Sequence, residues 1–128
     1  MKKTWLYFFP VFLFIAAFLL QGCIYIKYVA HVEGSGQIVT EERFITGFRN
    51  VQLKGNGNIY VTQGERDSLR IKTDDNLLPN IFTSLRRNTL VIDTRKNLSP
   101  THGIQFYVTM REVERLTIEG SGNIIGKT

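Results

Sequence analysis

The chain has 128 residues, 43% hydrophobic and 21% charged, with eleven Gly, three Pro and one Cys. This composition suits one small globular unit and argues against collagen, coiled coil, wholesale disorder or a multidomain enzyme. The formal charge is +5, but seven of the fifteen aromatics fall within the first 22 residues, so these averages mix a greasy leader with a polar body.

Lys2 and Lys3 form a short basic start, Trp5 to Leu20 is an uncharged apolar run, and Leu20-Gln21-Gly22-Cys23 closes it. That is the form of a secretory signal. The closing tetrapeptide resembles the lipobox of bacterial lipoproteins, with one departure: a small residue more often stands where Gln21 does. The resemblance implies that residues 1–22 are a signal peptide, that Cys23 is the lipid attachment site, and that residues 23–32 are a lipid-anchored tether. A single thiol in an exported chain forms no internal disulfide, which agrees with use as an attachment point. Several acyl chains on one residue hold a protein on a membrane. Ile24 is not the Asp that, in the lipoproteins this resembles, retains the product at the inner membrane. The expected location is therefore the cell envelope, on the outer membrane and facing the periplasm or the surface. The alternative is an uncleaved anchor, because Thr4 to Ile26 carries no charge over 23 residues, long enough to cross a hydrocarbon core of about 30 Å.

Without the leader, fourteen basic and eleven acidic side chains remain. That mild balance, with no basic stripe interleaved with aromatics, makes nucleic acid an unexpected partner. Residues Ile24 to Val32 read as a tether or a first strand. From there to the end the chain alternates with period two in short runs bounded by Gly, Asn or Asp, which predicts strands with one apolar face. Val51 and Leu53, Ile59 and Val61, Leu69 and Ile71, Leu90 and Ile92, the series Ile104 to Met110, and Leu116 and Ile118 form the candidate core. Asp75-Asn76-Leu77-Leu78-Pro79-Asn80-Ile81 breaks the pattern and predicts one short helical turn, with Asp74 or Asp75 as its cap. Asn97 to Gly103 reads as a polar loop between strands.

A repeat carries more information than any single residue. Phe48 to Ile59 aligns without gaps on Val113 to Ile124, and Glu33 to Ile38 is a shorter copy. The repeating unit is strand, Gly-x-Gly-Asn or Gln, strand, with Gly34, Gly36, Gly55, Gly57, Asn58, Gly120, Gly122 and Asn123 at the bends. Glycine allows positive φ or close backbone approach, and Asn or Gln can bond peptide groups left unpaired at a bend. Stacked in register, such units form an all-β, β-solenoid or β-roll-like fold with a continuous apolar column.

From about Glu33 onward the sequence resembles the GIN domain, a family of auto-transporter adhesin head modules found in secreted and lipid-anchored envelope proteins. The matching stretches are Gly34-Ser35-Gly36, Arg43 to Phe48, Val51-Gln52-Leu53, Gly55 to Gly64, Asp74 to Leu78, and Leu116 to Gly122. The resemblance implies an all-β, solenoid-like domain over residues 33–128 and brings no catalytic residues with it. Family members usually continue through further Gly-rich strands, so a domain shortened at its C-terminus is expected, with an open strand edge available for self-association.

Motifs that would signal chemistry fail on inspection. Neither Gly-x-Gly repeat is a dinucleotide fingerprint, because Tyr60 and Ile125 occupy the third Gly position, and Gly126-Lys127-Thr128 lacks the earlier Gly of a phosphate loop. A calcium β-roll needs Asp where Ile38, Ile59 and Ile124 stand. His31 and His102 are isolated, so neither a metal site nor a catalytic triad is expected, and no cofactor is implied. Tyr60 and Tyr107 read as cover for neighbouring strands rather than as sugar platforms. The expectation is a membrane-anchored, non-catalytic module with a protein or glycan partner. Two alternatives stand beside it. One is a polysaccharide-acting enzyme of the β-helix class, drawing on Glu41, Glu42, Asp67, Asp93, Glu112 or Glu114. The other is a truncated paralogue with no independent role.

Overall fold

The computed structural model describes residues 31–95 and 97–127; the leader, Cys23 and the tether up to residue 30 lie outside them. Wherever the sequence alternates, the backbone is extended, and the protein is all-β. Its strands are β1 (His31–Glu33), β2 (Ile38–Arg43), β3 (Asn50–Asn56), β4 (Asn58–Gln63), β5 (Ser68–Asp74), β6 (Ile81–Arg86), β7 (Thr89–Thr94), β8 (Asn97–Ser99), β9 (Gln105–Met110), β10 (Arg115–Ser121) and β11 (Ile124–Lys127). A 3-10 helix, Asp75–Asn80, joins β5 to β6.

The strands form three open sheets, ordered β10-β3-β7-β6, β11-β4-β9-β5-β2 and β1-β8. The bends at Gly55–Gly57 and Gly120–Gly122 each pass the chain from the four-stranded to the five-stranded sheet, whereas the bend at Gly34–Gly36 leads from β1 to β2. As a result β10–β11 lies beside β3–β4, which lies beside β7 and β9, with all of these neighbours parallel. Period-two alternation then turns one side chain of every pair inward. In the four-stranded sheet the register aligns Leu116, Val51 and Leu90 in one row, and Ile118, Leu53 and Ile92 in the next. In the five-stranded sheet it aligns Ile124, Ile59, Phe106 and Ile71. Val51, Leu53, Ile59, Leu69, Ile71, Leu90, Ile92, Ile104, Phe106, Val108 and Met110 are all buried. Complete burial of one such side chain stabilises the fold by about 1.5–3 kcal/mol, so these rows supply the driving force for the stack.

At β2 the apolar rows end in charge. Glu41 stands opposite Ile71, and Arg43 opposite Leu69. The Arg43 guanidinium pairs with Glu41 at 2.9 Å and donates to the carbonyls of Ile81 at 2.6 Å and Leu78 at 3.1 Å. One side chain thereby ties the edge of the five-stranded sheet to β6 and to the 3-10 helix, closing that side of the core with satisfied donors.

Two local expectations are revised, and at His31 and Val32 the strand alternative holds. The turn after β5 is a 3-10 helix with Pro79 inside it and no side-chain cap; Asp74 directs its carboxylate elsewhere. Within the loop Asn97–Gly103 lies β8, a three-residue strand that buries only Leu98, too short to show a period. His31 and Val32 belong to β1, which pairs in parallel with β8.

Candidate functional site

The bends at 55–58 and 120–123 sit directly on one another. Gly120 pairs with Gly55 and Ser121 with Asn56 in the parallel ladder, and Ile124 pairs with Ile59 beyond the bend. Across the gap, Gly57 N–H donates to the Ser121 carbonyl at 3.1 Å, and Ile59 N–H donates to the Asn123 carbonyl at 2.8 Å. Asn58 Oδ1 accepts the Asn123 N–H at 3.1 Å, so an asparagine side chain satisfies a peptide group that the bend removes from the ladder. Glycine is demanded here by proximity. A Cβ on Gly120 would overlap the Gly55 carbonyl, and one on Gly122, whose φ is +155°, would overlap the Gly57 carbonyl.

The copy at Gly34-Ser35-Gly36 lies outside this stack and is held by side chains. Gly36 N–H donates to Asp74 Oδ1 at 2.9 Å, and Ser35 N–H donates to Asn76 Oδ1 at 2.9 Å. The Ser35 hydroxyl donates to the Asp75 carboxylate, and Asn76 Nδ2 donates to the Glu33 carbonyl at 2.6 Å. Asp74, fully buried, also accepts the Thr101 N–H at 3.0 Å and the Thr101 hydroxyl at 2.6 Å. Burial alone would push its carboxyl up. The bonds from Thr101 and from the Gly36 and Asp74 amides outweigh that and hold it below the ordinary value, so it is ionised.

An ionised carboxylate only accepts, which fixes the next bond outward. The Thr101 hydroxyl proton lies toward Asp74, so Thr101 Oγ1 can only accept from His102 Nδ1, 3.1 Å away. Nδ1 therefore carries a proton directed at Thr101, and Nε2 is the outer ring nitrogen. His102 opens onto a groove of about 580 Å³ lined by Ile38, Lys72, Thr73, His102, Gly103 and Gln105. Lys72 and Gln105 are directly opposed on β5 and β9. Tyr107 Oη donates to Gln105 Oε1 at 2.7 Å, which leaves the Gln105 amide nitrogen with its donors unspent.

On the same outer face Tyr60 and Tyr107 stack with ring centroids 5.1 Å apart. Arg70 lies 5.8 Å from the Tyr107 centroid and Lys127 lies 5.2 Å from that of Tyr60. The two rings thus cover each other across parallel strands.

A second groove, of about 290 Å³, lies at the opposite ends of the strands and includes Arg49, Asp67, Arg111 and Glu112. Two of its charged side chains, Arg49 and Asp67, are engaged by neighbours. Arg49 lies 3.4 Å from Glu112 and 3.5 Å from Glu114, while Asp67 accepts the Gly47 and Arg111 amides at 2.8 and 3.0 Å. Of the other carboxylates considered for catalysis, Glu41 is bound by Arg43, and Asp93 is 3.8 Å from Arg95. Glu42 is exposed and stands opposite Arg70 on the outer face. Among the described residues no group of three His, Cys, Asp or Glu could hold a metal ion. No helix among them is long and apolar enough to cross a membrane.

The sequence reading missed Asp74 as a hub, and it missed that His102 and Lys72 line one groove. The partners of Asp74 stand 27 and 38 residues away in the chain, and no local spacing encodes such contacts. The run Asp74-Asp75-Asn76 at the end of β5 is the available signal, and capping accounts for it more simply.

Fold and bends together define an all-β module of strand–bend–strand units packed side by side. Residues 47–128 match the family described as "Putative auto-transporter adhesin, head GIN domain", and the chain belongs to that family. Among solved structures, it is similar to a "putative adhesin" from Parabacteroides merdae, with a TM-score of 0.68 and 20% identity over 76% of this chain and 41% of that one. A "Putative lipid binding protein" from Parabacteroides distasonis gives 0.68 and 23% over 76% and 44%. A "putative adhesin" from Bacteroides fragilis gives 0.65 and 24% over 73% and 44%. At these identities the likeness shows the fold alone, and the chain spans less than half the length of these solved relatives. No curated protein matches the sequence.

Proposed function

We propose that this protein is a non-catalytic, adhesin-like binding module of the bacterial cell envelope, a short β-solenoid held on a membrane by lipid at Cys23. The observation that carries the reading is the register of the bends, Gly120 over Gly55 and Ser121 over Asn56, which lays like strand–bend–strand units side by side. Such a scaffold is built to present side chains rather than to close around a substrate. Its outer faces carry mixed polar rows, such as Asn58, Gln105, Lys72 and Thr40, suited to a glycan or protein partner. Family membership and the adhesin names of the solved neighbours support the envelope assignment.

Two measurements test it. The intact mass of the protein from its native host should equal that of residues 23–128 plus acyl chains, and Cys23→Ala should abolish the added mass and release the protein from membranes. Unchanged processing in that variant would remove the lipid anchor from the proposal. The full chain immobilised on beads should retain material from a panel of envelope polysaccharides and proteins; retention of nothing would remove the binding role.

A further inference from the structure

We infer that the groove between β2, β5 and the loop preceding β9 binds an acidic sugar residue of a polysaccharide, taking its carboxylate on Lys72 and Gln105 and a neighbouring hydroxyl on His102. The inference rests on the binding-module reading above and names the ligand class for it.

The groove is asymmetric in its chemistry. On one wall every polar group still available is a donor: the Lys72 ammonium forms no ion pair among the described residues, and the Gln105 carbonyl oxygen already accepts from Tyr107. An ammonium next to a primary amide is complementary to a carboxylate, which accepts only. Asp74 cannot supply it, because it is buried and bound by Gly36 and Thr101, and Glu42 on β2 stands opposite Arg70. Thr73 turns its hydroxyl away, donating to the Gly103 carbonyl at 3.2 Å.

The other wall asks for something different. With Nδ1 committed to Thr101, Nε2 is the His102 ring nitrogen left open to the groove. A sugar hydroxyl, donor and acceptor at once, can bond that nitrogen, so a ligand with a carboxylate and an adjacent hydroxyl matches both walls, whereas inorganic phosphate has no ring to rest against Ile38. Ile38 and Gly103 supply apolar surface between the two walls, against which the C–H face of a sugar ring can rest. A volume of about 580 Å³ falls within the range of small-molecule sites. In the second groove the Arg49 guanidinium and the Asp67 carboxylate are already engaged.

Titration of the full chain in detergent micelles with trigalacturonate, followed calorimetrically, tests the inference. Trigalacturonate should bind; its fully methyl-esterified form, which keeps the hydroxyls and loses the charge, should not; inorganic phosphate should fail to compete. Lys72→Met should weaken binding roughly tenfold, the loss expected for one charge-assisted bond, and His102→Ala should weaken it severalfold, with neither changing the melting temperature. Equal binding of acid and ester, effective competition by phosphate, or unchanged affinity in both variants would each overturn it. Should Lys72→Met and His102→Ala leave retention on the polysaccharide and protein panel intact while trigalacturonate fails to bind, the groove assignment falls and the binding-module reading stands.

Discussion

Gly34-Ser35-Gly36 and Gly120-Ser121-Gly122 are the same tripeptide held by opposite means. The second is packed backbone on backbone, its glycines pressed against the carbonyls of Gly55 and Gly57. The first is packed by side chains on backbone: Asp74 and Asn76 receive its amides, and the space beside Gly36 is open. One sequence motif therefore has two structural logics. What it needs in common is a bend with unpaired peptide groups; what satisfies them depends on whether another bend or a set of carboxylates lies alongside.

Substitutions should separate the two. The largest effect is expected at Gly122→Ala, where the new Cβ meets a carbonyl that cannot move aside; the clash and the positive φ together cost about 3 kcal/mol. The loss should fall on the β10–β11 unit, and hydrogen exchange should show it as faster exchange at Gly57 and Ile59, whose amides donate across the gap. Native protection at both amides would mean that the stack does not depend on glycine at that position.

Next comes Asp74→Ala, which strips the acceptor from Gly36 and from both Thr101 donors. A loss of about 2 kcal/mol in urea denaturation is expected, with Gly57 and Ile59 left protected. The same residue sets an acid limit. Because its carboxyl binds a proton less tightly in the fold than in the unfolded chain, its contribution is full above the ordinary value of 3.8 and is lost as pH falls below it. Asp74→Asn should flatten that part of the stability profile; an unchanged acid limb would show that another carboxylate governs it. The smallest effect belongs to Gly36→Ala. With φ at +86° and no atom within 4 Å of the added Cβ, only conformational strain of about 1 kcal/mol is expected, read as a small fall in melting temperature.

The same contrast explains what could be read in advance. Alternation at 51–63 and 104–110 shows the strands and their inner faces, because a buried face imposes period two on the residues themselves. The gapless repeat of Phe48–Ile59 at Val113–Ile124 shows that two units have like shapes. Strand order is not encoded so locally: nothing near Leu90 announces that β7 lies beside β3 on the side opposite β10. Nor does the polar run around Leu98 advertise β8, since one buried residue makes no period. The groove escaped for a related reason. Its chemistry depends on protons already committed elsewhere, by Thr101 to Asp74 and by Tyr107 to Gln105, and such commitments join residues that only the fold brings together.

The paired tyrosines of β4 and β9 have a practical consequence. Tyr60 and Tyr107 occupy equivalent positions on adjacent parallel strands. A slip of one residue between those strands would send one ring to the opposite face and uncouple the pair. Their near-ultraviolet circular dichroism is therefore an intrinsic optical gauge of strand alignment, able to report a shifted ladder even where overall strand content stays constant.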